Sequence, residues 1–92
     1  MFEYTNQEKN EVLNKYFESK DSLLLKVFPK KQKQKYLCML WIKTLFKKDV
    51  FYTEKEINQI LKNVHQDYAM LRRYLVDFDL INRKIDGSKY WV

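Results

Sequence analysis

Apolar positions along the chain fall into four stretches of helical spacing and one that alternates. Val12, Leu13, Tyr16 and Phe17 make one side of a first helix over about 5–18. The segment 30–47 is apolar all round between Tyr36 and Ile42, which predicts the central, most buried helix, with Leu37, Leu40, Trp41 and Leu45 facing the core. Ile57, Ile60, Leu61 and Val64 fit the i, i+3, i+4, i+7 template of a third helix. Tyr68, Leu71, Leu75 and Phe78 form the buried stripe of a fourth. From Ile81 to Ile85 the pattern alternates, Asp86-Gly87 supplies a two-residue turn, and Ser88 to Trp91 returns, which predicts a β-hairpin.

The polar residues between these stretches mark their ends. Thr5 with Glu8, and Thr53 with Glu56, have the spacing of a capping box, in which each side chain reaches the other residue's free backbone N–H. Asp67 is placed to cap the fourth helix or to serve as an acid in its first turn. Leu23 to Phe28 is a short extended segment, closed by Pro29, which disfavours helix at Phe28 and sits near the start of the second helix. Val50-Phe51-Tyr52 is an extended link, and Asn63 to Gln66 a turn. The resulting order is helix, short strand, helix, link, helix, turn, helix, hairpin. It predicts a mostly α fold with a small C-terminal β-hairpin (α+β), a winged helix-turn-helix with an extra N-terminal helix. Residues 1–22 are expected to be an N-terminal helix packing on the core, and 23–92 the winged-helix-like part of one compact domain, with a recognition helix at about 66–78 and a wing at about 81–91.

Charge changes the picture. Residues 1–25 carry three Lys against five acids, residues 26–48 eight Lys and no acid, and residues 49–92 seven basic and seven acidic residues. The whole excess of +6 therefore comes from the middle stretch. This basic patch, Lys30, Lys31, Lys33 and Lys35 above all, stands where positive charge opposes the macrodipole of the second helix, which favours a charge-based role with a polyanion over a merely solvated face. The single Cys38, inside an apolar run, forms no internal disulfide; a buried packing thiol and a cytoplasmic setting are expected. The longest apolar run, 36–42, is too short to span a bilayer, so no membrane role is expected.

Four blocks also resemble a known bacterial family. They are Phe28-Pro29-Lys30-Lys31; Tyr52-Thr53-Glu54-Lys55-Glu56-Ile57-Asn58; the pattern from His65 and Asp67 through Ala69, Leu71, Arg72, Arg73, Leu75, Val76 and Asp77; and Asp86-Gly87-Ser88-Lys89-Tyr90-Trp91. In order and spacing they resemble the uncharacterised domain of unknown function 2087, over roughly residues 28–92. That domain occurs alone or fused behind an ArsR-like helix-turn-helix. The resemblance implies a winged-helix-like fold and an association with transcription regulation. It carries no established activity or binding residues. Where the family usually has Gly, this chain has Asp79, which tolerates a left-handed corner better than most residues.

The expected function is duplex DNA binding by a small transcription-associated protein. On the fourth helix Gln66, Met70, Arg72 and Arg73 are expected to face the major groove, with Asp67 and Tyr74 beside them. Thr53 and Lys55 are placed to grip phosphate at the start of the third helix, and Lys84, Ser88 and Lys89 at the wing tip. With a two-residue turn, Lys84 would stand opposite Lys89, and a phosphate between them would relieve the repulsion. Against this stand Asp67, Asp77 and Asp79 on or beside the helix, Glu54 and Glu56 around Lys55, and a possible pairing of Arg73 with Asp77 one turn on. The alternative is a protein-interaction or dimerisation module of the same fold, using Phe2, Tyr4, Tyr74 or Trp91. No catalytic role is expected: His65 near Asp67 is the one acid–imidazole pair close in sequence, and a capping or packing role suits it. Neither a metal nor another cofactor is indicated, since ligand spacing and a Gly-rich loop are both missing.

Overall fold

The computed structural model describes residues 2–92, which form four helices and a two-stranded antiparallel hairpin, an α+β arrangement. The helices are α1 (Asn6–Tyr16), α2 (Gln32–Lys43), α3 (Glu54–Leu61) and α4 (Tyr68–Asp77), and the strands are β1 (Asn82–Arg83) and β2 (Tyr90–Trp91). Both capping boxes form. Thr5 accepts from the Glu8 N–H while Glu8 accepts from the Thr5 N–H, and Thr53 and Glu56 do the same. Asp67 caps α4 by accepting from the Met70 N–H at 3.2 Å.

A row of Leu37, Cys38, Met39 and Ile42 puts α2 at the centre of the core. Val12, Leu13 and Tyr16 from α1 and Leu71 and Leu75 from α4 lie against it, and Ile57 and Leu61 from α3, which packs on α4, complete the same core. α1 is fastened to α2 by the Trp41 indole N–H, which donates to the Lys9 carbonyl at 2.7 Å, and by an ion pair of Lys33 with Glu8 at 2.7 Å. Leu25 links the exit of α1 to the end of α3. Its neighbours pair with the exit of α1 (Glu18 N–H to Leu24 carbonyl, Lys26 N–H to Tyr16 carbonyl), and its own N–H donates to Val64 just past α3.

Two features extend the hairpin into the body. Tyr52, in the link between α2 and α3, exchanges both backbone hydrogen bonds with Tyr90, each 2.8 Å. The link, β2 and β1 therefore lie side by side in that order. At the other end, α4 stops in a left-handed corner. The Asp79 N–H donates to Val76 and the Leu80 N–H to Leu75, Asp79 has φ 58°, and the buried Leu80 packs beside the buried Leu75, the pattern of a Schellman motif.

Several sequence expectations shift. α2 begins at Gln32 and Pro29 lies outside it, buried. The helix ends at Lys43, and Thr44, Leu45 and Phe46 continue with three-residue hydrogen bonds. The tighter winding turns Phe46 into the core and leaves Leu45 39% exposed. Tyr68, the first residue of α4, is 37% exposed, and the buried stripe starts a turn later at Leu71. The hairpin turn is not the two-residue kind. The Gly87 N–H donates to the Lys84 carbonyl, and Gly87 alone in the loop has positive φ (74°), whereas a two-residue turn with Asp86 first needs it at both positions. Asp86 instead accepts from the Ser88 N–H at 2.9 Å, which fixes a longer loop. No helix among the described residues is long and apolar enough to cross a membrane.

Candidate nucleic-acid interface

The outward side of α4 and the hairpin enclose a cleft of about 220 Å³. Arg72, Arg73 and Asp77 reach it from α4, Arg83 and Tyr90 from the strands, and Glu54 from α3. The strand register explains who faces in. Asn82 pairs with Trp91 and Arg83 with Tyr90, so Arg83 shares the inner face with the buried Tyr90. The Lys84 N–H donates to the Lys89 carbonyl, so these two lysines stand opposite each other one residue further out, on the face of Trp91. The Lys84–Lys89 juxtaposition thus holds although the turn differs. Arg83 was not among the sequence candidates; the signal for it is its parity with Ile81, two residues before it in the alternating run.

The candidates divide by what their polar atoms already do. Arg72 is a structural residue: its guanidinium donates to the Asn58 side-chain oxygen and pairs with Glu54 at 3.5 Å, its side chain 22% exposed. The Tyr90 hydroxyl donates to the same Glu54 carboxylate at 3.4 Å, so one acid ties α3, α4 and β2 together. Arg72 is therefore not free to read a base. Thr53 is spent as well, its hydroxyl oxygen and N–H both engaged by Glu56. With Glu54 and Glu56 in its first turn, the start of α3 already carries negative charge against its dipole and offers phosphate little beyond the exposed Lys55. By contrast Arg73 and Arg83 are exposed and form no ion pair among the described residues, so the Arg73–Asp77 pair does not form. Gln66, Ser88, Lys84 and Lys89 are exposed and Met70 half-buried.

Three of the acids that weigh against an anionic partner are likewise engaged, whereas Asp77, which lines the cleft, and Asp79 form no ion pair among the described residues. Asp67 caps α4, Glu56 caps α3, and Glu54 is held by Arg72. Asp86 sits in the hairpin loop, where hydrogen bonds from Ser88 hold its carboxyl below the usual range. His65 has a structural part: its Nδ1 accepts the Asp67 N–H at 2.9 Å just before α4. Among the described residues no group of three His, Cys, Asp or Glu converges.

The basic patch of α2 does not stay together. Lys33 is paired with Glu8, and the Lys35 ammonium donates to the Tyr74 hydroxyl at 3.2 Å while lying over the Phe28 and Tyr74 rings. Tyr74 is not outward-facing either. It packs between Phe28 and Phe78, with centroids 5.7 and 6.0 Å away. Phe2 packs on Tyr36 and Phe78 and joins the core margin, while Tyr4 meets the Tyr36 ring edge-on and stays exposed. Lys30 and Lys31 remain exposed. Cys38 is fully buried, and burial pushes its thiol up to about 12.

A family model described as an uncharacterised protein conserved in bacteria (DUF2087) matches residues 24–92. The chain belongs to this family. The DUF2087 match takes in α2, α3, α4 and the hairpin, hence the entire cleft, and leaves α1 outside it. It also takes in Asp79, whose backbone is left-handed, a conformation that glycine adopts without steric penalty. Comparison with curated proteins and with solved structures finds no match to this DUF2087 chain.

Proposed function

We propose that the chain is a winged-helix domain that binds duplex DNA in a transcription-associated role, with α4 entering the major groove and the hairpin lying along the adjoining backbone. The observation that carries this reading is the convergence of Arg73 from α4 and Arg83 from β1, neither ion-paired among the described residues, on one cleft. The order of elements supports it. A helix, a link that pairs with the hairpin, two helices joined by a short turn, and the hairpin itself are the parts a winged helix needs. In this arrangement Gln66, Met70 and Arg73 face base edges, Arg83 meets the phosphates beside the groove, and Lys84 and Lys89 meet those beneath the wing. Arg72 orients α4 and contacts no base.

The test is fluorescence anisotropy of a labelled mixed-sequence duplex at low and moderate salt. Binding is expected to weaken with a log–log slope of about −0.9 per phosphate neutralised. Arg73→Glu and Arg83→Glu are expected to abolish binding, while Lys30→Glu leaves it nearly intact. Lack of binding at low salt, where non-specific affinity needs no target sequence, overturns the reading.

A further inference from the structure

We propose that the groove between the end of α1 and the approach to α2 is a docking site for an acidic peptide segment carrying one apolar anchor residue. The groove holds about 240 Å³, with Tyr16, Val27, Phe28 and Pro29 among its apolar lining and Lys15, Lys30 and Lys31 as its charged residues. No acidic residue lines it, and none of the three lysines forms an ion pair among the described residues. Their neighbours Lys33 and Lys35 are both committed to internal partners, so Lys30 and Lys31 are the part of that run left for something else. Val27 is 59% exposed beside them, apolar surface that a bound side chain would cover.

Size and charge select the occupant. The volume lies below the roughly 300–1,000 Å³ of cofactor and drug-sized sites, and suits a single aromatic or branched side chain. Three ammonium groups with no acid among them complement a run of carboxylates, and the apolar lining between them accepts one uncharged side chain of the same segment. A nucleic-acid backbone would satisfy the lysines and leave the apolar lining uncovered. The groove shares no lining residue with the cleft at α4, so this site stands independently of DNA binding there.

The experiment titrates the full chain into a fluorescein-labelled peptide of aspartates and glutamates with one central phenylalanine, alongside a twin with serine in place of the phenylalanine. Folding of each variant is checked by circular dichroism. The phenylalanine peptide is expected to bind, the serine twin about tenfold more weakly. Val27→Asp and the Lys30→Glu, Lys31→Glu double variant, all at exposed positions, are each expected to weaken the phenylalanine peptide by about tenfold and duplex DNA by less than about threefold. Equal binding of the two peptides, or no peptide binding at low salt, overturns the proposal. So does a loss of duplex affinity larger than the loss of peptide affinity in the lysine variant, which would make the groove a nucleic-acid shoulder.

Discussion

Asp79 offers a measurement in which backbone geometry alone sets the answer. Its φ of 58° places it at the left-handed position of the corner that ends α4, and its carboxylate has no hydrogen bond or ion pair among the described residues. A left-handed backbone costs an ordinary L-residue roughly 1–2 kcal/mol, and less for Asp, while glycine adopts it without penalty. Glycine in turn makes the unfolded chain about 0.4–1 kcal/mol more favourable. A carboxylate at the C-terminal end of a helix adds a small unfavourable dipole energy, about 0.3 kcal/mol or more. Asp79→Gly is therefore expected to stabilise by about 0.5 kcal/mol. Asp79→Asn, which keeps the tolerance and drops the charge, is expected to gain only the dipole part. Asp79→Val, β-branched, is expected to lose about 1–2 kcal/mol. For a domain of this size about 1 kcal/mol moves Tm by roughly 4–8 °C, so Gly and Val variants separate clearly in thermal and urea unfolding. A valine variant as stable as the glycine variant would refute the reasoning, because the corner would then not require positive φ at this position.

Three further outcomes follow from the same geometry. Arg72→Ala leaves the Asn58 oxygen and the Glu54 carboxylate without their cation and is expected to cost about 1–3 kcal/mol in urea unfolding, whereas Arg73→Ala stays within about 0.5 kcal/mol; equal costs would contradict the division of labour between them. Cys38 is expected to resist thiol reagents until the chain unfolds. Since its folded pKa of about 12 lies above the ordinary value of 9.0, its contribution is intact below pH 9.0 and lost as pH rises towards 12, about 2 kcal/mol near pH 10.5; Cys38→Ala should lack that part of the alkaline slope. For Asp86 the sign is opposite. Its lowered pKa means the loop bonds to Ser88 hold above the ordinary 3.8 and fail as pH falls through the depressed value, so Ser88 and Gly87 amide signals should move in acid before the core amides do.

The helices that open with capping boxes were legible because a short local rule and a hydrophobic stripe agree at Thr53–Glu56 and Ile57–Leu61. The exit of α2 was not, since one tightened turn, invisible to periodicity, exchanges Leu45 for Phe46 in the core. The proximity of α4 and the hairpin was legible in outline, and the internal partners of their side chains were not. Polar residue types at Thr53 and Arg72 signalled reach toward a ligand, while their partners, Glu56 in one case and Asn58 with Glu54 in the other, had already taken them. Lys33 and Lys35 were lost to the patch in the same way, through contacts with α1 and α4 that no local pattern encodes. Arg83 was within reach, because strand parity with Ile81 turns it inward.

The exchange of backbone bonds between Tyr52 and Tyr90 has a kinetic side. α1 to α4 are closed by bonds between near neighbours in sequence, which form quickly; the Tyr52–Tyr90 pair must wait until α3 and α4 have carried the returning chain back beside the link. The hairpin base is then late to set on refolding and early to release. Truncating Tyr90, buried and central to that base, is expected to speed unfolding while leaving the refolding limb of a chevron almost where it was.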